Sequence, residues 1–149
     1  MSMKRILFVC TGNTCRSPMA EIILKSKIKL AGISGIRVKS AGLDATDGHK
    51  MSKNSATALK KMGYKPYGFK AQRVSAVLLL KSDMTICMTE EHKNYIKNFP
   101  NVYSMKEVAG EDIPDPYGGD LTTYIKASHK IEDACNVIID KIISKEILS

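Results

Sequence analysis

The ten residues Val9-Cys10-Thr11-Gly12-Asn13-Thr14-Cys15-Arg16-Ser17-Pro18 constrain this chain more than any other stretch. Before them runs Arg5-Ile6-Leu7-Phe8-Val9, a short apolar segment that reads as a buried strand. After them, Met19-Ala20-Glu21-Ile22-Ile23-Leu24-Lys25 reads as a helix. A strand, a small polar loop and a helix opened by Ser-Pro make an anion cradle, because loop N–H groups and the positive helix end converge on one point. Cys10 opens that loop and Arg16 closes it, giving Cys-x5-Arg. The pattern predicts removal of phosphate from a substrate, with Cys10 as nucleophile.

Such a cysteine must attack as a thiolate. A free thiol has a pKa of about 8.5, and a helix N-terminus with a nearby arginine lowers it. Converging amides from Thr11 to Ser17 hold the phosphoryl oxygens, while the planar fork of Arg16 grips two of them and answers the charge that shifts in the transition state. Gly12 is expected to turn the loop with positive φ, and Asn13 tolerates the same region. Ser17 suits a helix N-cap and can also offer its hydroxyl to the thiolate. A buried core cysteine would account for Cys10 alone, but not for Arg16, Gly12-Asn13 and Ser17-Pro18 around it. The Gly-x4-Gly-Lys-Ser/Thr nucleotide loop is absent.

The leaving group needs a proton, so a general acid is expected elsewhere. Histidine is the first suspect by pKa, yet His49, His92 and His129 stand in unrelated contexts and read as surface residues. Asp115 is the better candidate. It lies in Ile113-Pro114-Asp115-Pro116-Tyr117-Gly118-Gly119-Asp120, between two prolines and beside an aromatic.

Strand and helix patterns alternate. Strands are predicted at about residues 4–9, 36–40, 84–88 and 101–104. Helices are predicted at about 18–31, 52–62, 90–98 with Thr89 as N-cap, and 122–147; 74–80 reads as a short helix or turn, and 105–121 as a long loop. On the first helix Met19, Ile22, Ile23, Leu30 and Ala31 should face the core. On the last, the stripe runs from Tyr124 and Ile125 to Ile142 and Ile143. Met1 and Ser2, ahead of a second methionine, are left out of the fold reasoning. This alternation predicts an α/β fold, one domain over residues 1–149, with a parallel sheet covered by helices on both faces and the ligand at the carboxyl ends of the strands.

Charge is uneven. Residues 1–81 carry 16 Lys+Arg against 3 Asp+Glu, and residues 82–149 carry 7 against 12, within a net charge of +8. The cations are scattered singly, without aromatic interleaving, which favours solvated faces and an anionic substrate over nucleic acid. No apolar run is long enough to span a membrane, and no signal peptide is expected. Four cysteines in 149 residues do not suggest a disulfide framework, so a reducing cytoplasm is the expected compartment. No metal site is expected, since Cys10 and Cys15 lack a second ligand pair.

The loop and the Asp115 segment together resemble the low-molecular-weight protein-tyrosine-phosphatase family, with Ser40-Ala41-Gly42 and Met88-Thr89-Glu90-Glu91-His92-Lys93 as supporting matches. The resemblance implies a three-layer sandwich around a four-stranded parallel sheet and a two-step mechanism without cofactor. On that resemblance Cys10 becomes a cysteinyl-phosphate, and Arg16 with the amides of Thr11, Gly12, Asn13, Thr14, Cys15 and Ser17 holds the phosphoryl group. Asp115 serves first as acid and then as base. Asn13 holds the loop with Ser40 as partner, Tyr117 lines the mouth, and Cys15 resembles the family's second cysteine, able to form a reversible disulfide with Cys10.

Thr14 bears on the substrate. Tyrosine-directed members usually carry an aliphatic residue there, and the form with Thr14 is similar to that of bacterial protein-arginine phosphatases. A smaller, hydroxyl-bearing wall suits a guanidinium better than a phenyl face. The expectation is a monomer acting on phosphoarginine in a phosphorylated protein partner, with phosphotyrosine as the alternative. Arsenate reduction is more remote, because neither Cys87 nor Cys135 offers a relay. A binding module that had given up catalysis would be expected to lose Cys10, Arg16 or Asp115, and all three are present.

Overall fold

The computed structural model describes residues 3–149; Met1 and Ser2, set aside above, lie outside them. Four strands, β1 (Lys4–Cys10), β2 (Ile36–Gly42), β3 (Met84–Cys87) and β4 (Val102–Ser104), form one parallel sheet in the order β2-β1-β3-β4. The helices are α1 (Arg16–Leu30), α2 (Lys53–Lys61), α3 (Ala76–Lys81), α4 (Glu90–Ile96), α5 (Met105–Ala109) and α6 (Leu121–Ile143). None of the described helices is long and apolar enough to cross a membrane.

Alternation along β1 builds the three layers. Ile6, Phe8 and Cys10 join one apolar cluster with Met19, Ile23 and Leu24 of α1 and Ile131, Cys135 and Ile138 of α6. Leu7 and Val9 point to the other face, against Leu79 of α3 and Ile96 of α4. Phe8 is fully buried, and burying a side chain of that kind contributes roughly 1.5–3 kcal/mol. The chain leaves β1 for β2 on one side and later takes up β3 on the other. The carboxyl end of β1 is therefore a switch point, where this class of sheet opens a crevice. Cys10 is its last residue.

Several boundaries differ from the sequence reading. The first helix begins at Arg16, with Cys15 as N-cap and no side-chain cap, so Ser17 does not cap it. Ser17 has turned inward instead, and Pro18 sits in the first turn, where a missing N–H costs no hydrogen bond. Leu30 and Ala31 are exposed; the buried face of α1 is Met19, Ala20, Ile23, Leu24 and Ile28. The stretch expected to be all loop after β4 opens with α5, whose Ser104 and Glu107 form a reciprocal capping box. Ile143 ends the last helix and is exposed. The short helix at 76–81 and the Thr89 cap of α4 agree with expectation.

Candidate active site

The loop from Cys10 to Arg16 carries its own geometry. Asn13 has φ 55°, whereas Gly12 stays out of the left-handed region, so the asparagine and not the glycine makes the turn. That strain is held by three hydrogen bonds. The Asn13 side-chain amide donates to Ser17 Oγ at 2.8 Å and Ser40 Oγ at 3.0 Å, and its oxygen accepts from the Gln72 backbone N–H at 2.9 Å. The end of β2 presses on the same loop. A Cβ at Gly42 would lie 2.5 Å from the Thr11 carbonyl oxygen and 2.8 Å from the Asn13 nitrogen, so only glycine fits.

These bonds have a direction. Glu21 is 8% exposed, and its carboxylate accepts from Ser40 Oγ at 2.8 Å and from Lys25 Nζ at 2.7 Å. With its proton committed to Glu21, Ser40 must accept from Asn13. Asn13 gives its other proton to Ser17, which leaves the Ser17 O–H for Cys10 Sγ, 2.8 Å away. When Cys10 is ionised, Ser17 can only be the donor. The sequence reading paired Asn13 with Ser40 but missed Glu21 and Gln72. A single acid on the helix face that packs inward was a signal for the first; a backbone N–H leaves none for the second.

Cys10 is 2% exposed, and burial pushes its thiol up from the ordinary value. Opposing this are the Ser17 hydroxyl, the backbone N–H groups of Ser17 and Asn13, and the Arg16 charge. The depressed value expected from the sequence counted only these opposing groups. A buried sulfur at a strand end loses more water than they replace.

Arg16 is buried. Its Nη1 donates to the Ile113 carbonyl at 3.0 Å, and its Nη2 lies 3.5 Å from Asp115 Oδ2. Two ends of the chain thus meet across one guanidinium. Asp115 itself is 55% exposed at its side chain and accepts from the Tyr117 backbone N–H at 3.0 Å. Cys10, Thr11, Gly12, Thr14, Cys15 and Arg16 line a cavity of about 260 Å³ together with Asp115 and Tyr117, which is 81% exposed. Asn13, Ser17 and Ser40 stand behind it. Cys15 lies 3.7 Å from Tyr124 Oη and, like the other cysteines, is a free thiol.

One histidine is misplaced by the sequence reading. His49 and His129 are on the surface, but His92 is 6% exposed, with its Nε2 2.9 Å from Thr11 Oγ1 and 3.5 Å from Arg16 Nη2. Burial and the Arg16 charge push its pKa down to about 4. A lone histidine on a two-turn helix gives no spacing signal for what it packs against.

Known proteins resemble the chain over nearly its whole length. Residues 5–147 match the family described as low molecular weight phosphotyrosine protein phosphatase. The protein-arginine-phosphatase of Geobacillus stearothermophilus is 34% identical over 146 residues, covering 93% of this chain and 95% of that protein. The low molecular weight protein-tyrosine-phosphatase PtpB of Staphylococcus epidermidis is 36% identical over 144 residues, covering 93% and 96%. The solved arginine phosphatase YwlE from Geobacillus stearothermophilus superposes with a TM-score of 0.87 at 33% identity, over 97% of this chain and 96% of that one. The chain therefore belongs to the low-molecular-weight phosphotyrosine protein phosphatase family.

Proposed function

We propose that this protein phosphatase dephosphorylates phosphoarginine in proteins, through a covalent phosphocysteine. Cys10, as the thiolate held by the Ser17 hydroxyl, the loop N–H groups and Arg16, attacks phosphorus in line with the bond to the guanidino nitrogen; an S–P bond forms and the P–N bond breaks. Arg16 and the loop amides hold the phosphoryl oxygens as their charge shifts. Asp115, on the open side of the cavity and 3.5 Å from Arg16, gives its proton to the leaving nitrogen. In the second step Asp115 takes a proton from water as that water attacks phosphorus, and inorganic phosphate departs. The sulfur leaves as a thiolate, with the Ser17 O–H directed at it.

Thr14 carries the choice of substrate. It stands in the cavity wall with Arg16 and Asp115, and its hydroxyl offers a polar partner to a guanidinium where a branched aliphatic chain would offer a face to a phenyl ring. The similarity to an arginine phosphatase supports the same reading. A second reading, phosphotyrosine, is favoured by Tyr117, an exposed aromatic at the cavity mouth able to stack on a phenol, and by the similarity to PtpB.

Side-by-side kcat/KM values on phosphoarginine and phosphotyrosine peptides decide between them. The expected result is a preference for phosphoarginine that falls about tenfold or more in Thr14→Ile, in line with the ~1–3 kcal/mol that one pocket group commands. A ratio that does not move with Thr14→Ile removes Thr14 as the determinant.

A further inference from the structure

His92 has no part in the steps above, yet it touches both ends of the loop that performs them. Thr11 follows the nucleophile and Arg16 ends the motif. The His92 ring, arriving from α4 on the other side of the sheet, reaches both with one nitrogen. The protonation of that nitrogen follows from its neighbours. A guanidinium has donors and no acceptor, so Nε2 facing Arg16 is unprotonated. The ring proton then sits on Nδ1 and donates to Thr89 Oγ1 at 2.9 Å; this tautomer is assigned from the hydrogen bonding. Thr89 Oγ1 also accepts the His92 backbone N–H as the cap of α4, so the ring is fixed to its own helix end. Thr11 Oγ1 is left to donate to Nε2.

We propose that His92, as the neutral imidazole, is a positioning residue for the phosphoryl clamp: its Nε2 ties Thr11 to Arg16 and so sets the span of the loop between the nucleophile and the guanidinium. Asn13 holds the middle of the loop from the β2 side, and His92 holds its two ends from the α4 side. The charged groups facing His92 are Arg16 in the loop and Asp112 and Asp115 after α5. Arg16 opposes a second positive charge and the two carboxylates favour it. Burial adds to the side of Arg16 and keeps the ring neutral. Protonation would aim an N–H at the guanidinium and release the clamp.

The inference rests on the phosphocysteine reading but not on the choice between arginine and tyrosine. Its test compares His92→Gln with His92→Asn in the full-length protein. Glutamine places an amide oxygen near the position of Nε2, whereas asparagine reaches only as far as Nδ1 and keeps the Thr89 contact alone. With p-nitrophenyl phosphate, His92→Asn is expected to lose about 10- to 100-fold in kcat/KM, the scale of an ångström's misplacement in an active site. His92→Gln is expected to recover most of that loss. Competitive inhibition by inorganic phosphate should weaken in the same order. A structural role would make both losses follow Tm, with no rescue by glutamine. Equal activity of the two variants at equal Tm, or loss in both alike, overturns the inference. Failure of the phosphocysteine reading would show differently, as turnover by the unchanged protein that survives Cys10→Ser.

Discussion

The two halves of the site are held in opposite ways. In the loop from Cys10 to Arg16 the side chains of Cys10, Asn13, Cys15 and Arg16 are buried while Thr11 is exposed, and side chains from α1, the end of β2 and α4 bond the loop from three directions. The segment carrying Asp115 stands in the open: Asp115, Tyr117 and Gly118 are exposed, and the Asp115 carboxylate is engaged by one backbone N–H and a 3.5 Å approach to Arg16. A phosphoryl group has one size and shape, so its seat can be built in advance. In the proposed reaction the guanidino nitrogen is constant but the protein segment that carries it varies, and a looser mount lets Asp115, as its proposed proton donor, meet different segments. Rigid recognition of the invariant part and tolerant recognition of the variable part follow from the same chain.

That contrast can be broken by asking whether each half responds to the leaving group. The largest effects should come from Cys10→Ser and Asp115→Asn. The first removes turnover of every substrate, a fall of about 10⁴-fold or more. The second should cost about 10²–10³ on phosphoarginine peptides and far less on p-nitrophenyl phosphate, whose leaving group departs without a proton. Equal losses on both substrates would show that Asp115 acts on the phosphoryl group and not on the leaving atom.

Asn13→Ala sharpens the other half. It deletes two buried hydrogen bonds and a half-buried third, which leaves the Gln72 N–H without its partner. The expected cost is about 2–3 kcal/mol of stability, read as a lowered Tm, with kcat/KM falling by one factor on both substrates. A loss that depended on the leaving group would contradict the preformed seat. The smallest effect belongs to Ser17→Ala. Its hydroxyl pulls the Cys10 thiol down, so removal must raise the thiol's pKa further. The rate of iodoacetate inactivation should then reach its half-maximum at higher pH than in the unchanged protein. A midpoint that stays in place would mean that the backbone N–H groups and Arg16 do all the lowering.

Much of this site was legible because its chemistry is local. Cys10, Arg16 and the polar residues between them lie within seven positions, and the apolar runs on either side imply the strand and the helix that aim them. The second half was legible as composition, two prolines and two glycines about Asp115, and the family resemblance alone, not any spacing, brought it to the loop. What stayed hidden was contact made across the sheet. His92 and Thr11 are 81 positions apart, and no spacing rule ties them. Gln72 acts through its main chain, which every residue but proline shares. The α5 helix was overlooked for a different reason. Its Ser104-x-x-Glu107 signature was present, but Gly110, Pro114 and the acids that follow made the whole stretch resemble loop.

Gly42 has a bearing on selectivity. The sheet meets the loop there main chain against main chain, with no side chain between to be enlarged or trimmed. The aperture that admits an anion is therefore an inherited dimension of the backbone, closed to tuning by single substitutions at that contact. On the proposed reading, this chain's choice of substrate rests instead on the cavity wall and mouth, at Thr14 and Tyr117. Tetrahedral anions of phosphate's size, vanadate and arsenate among them, should enter this seat as phosphate does.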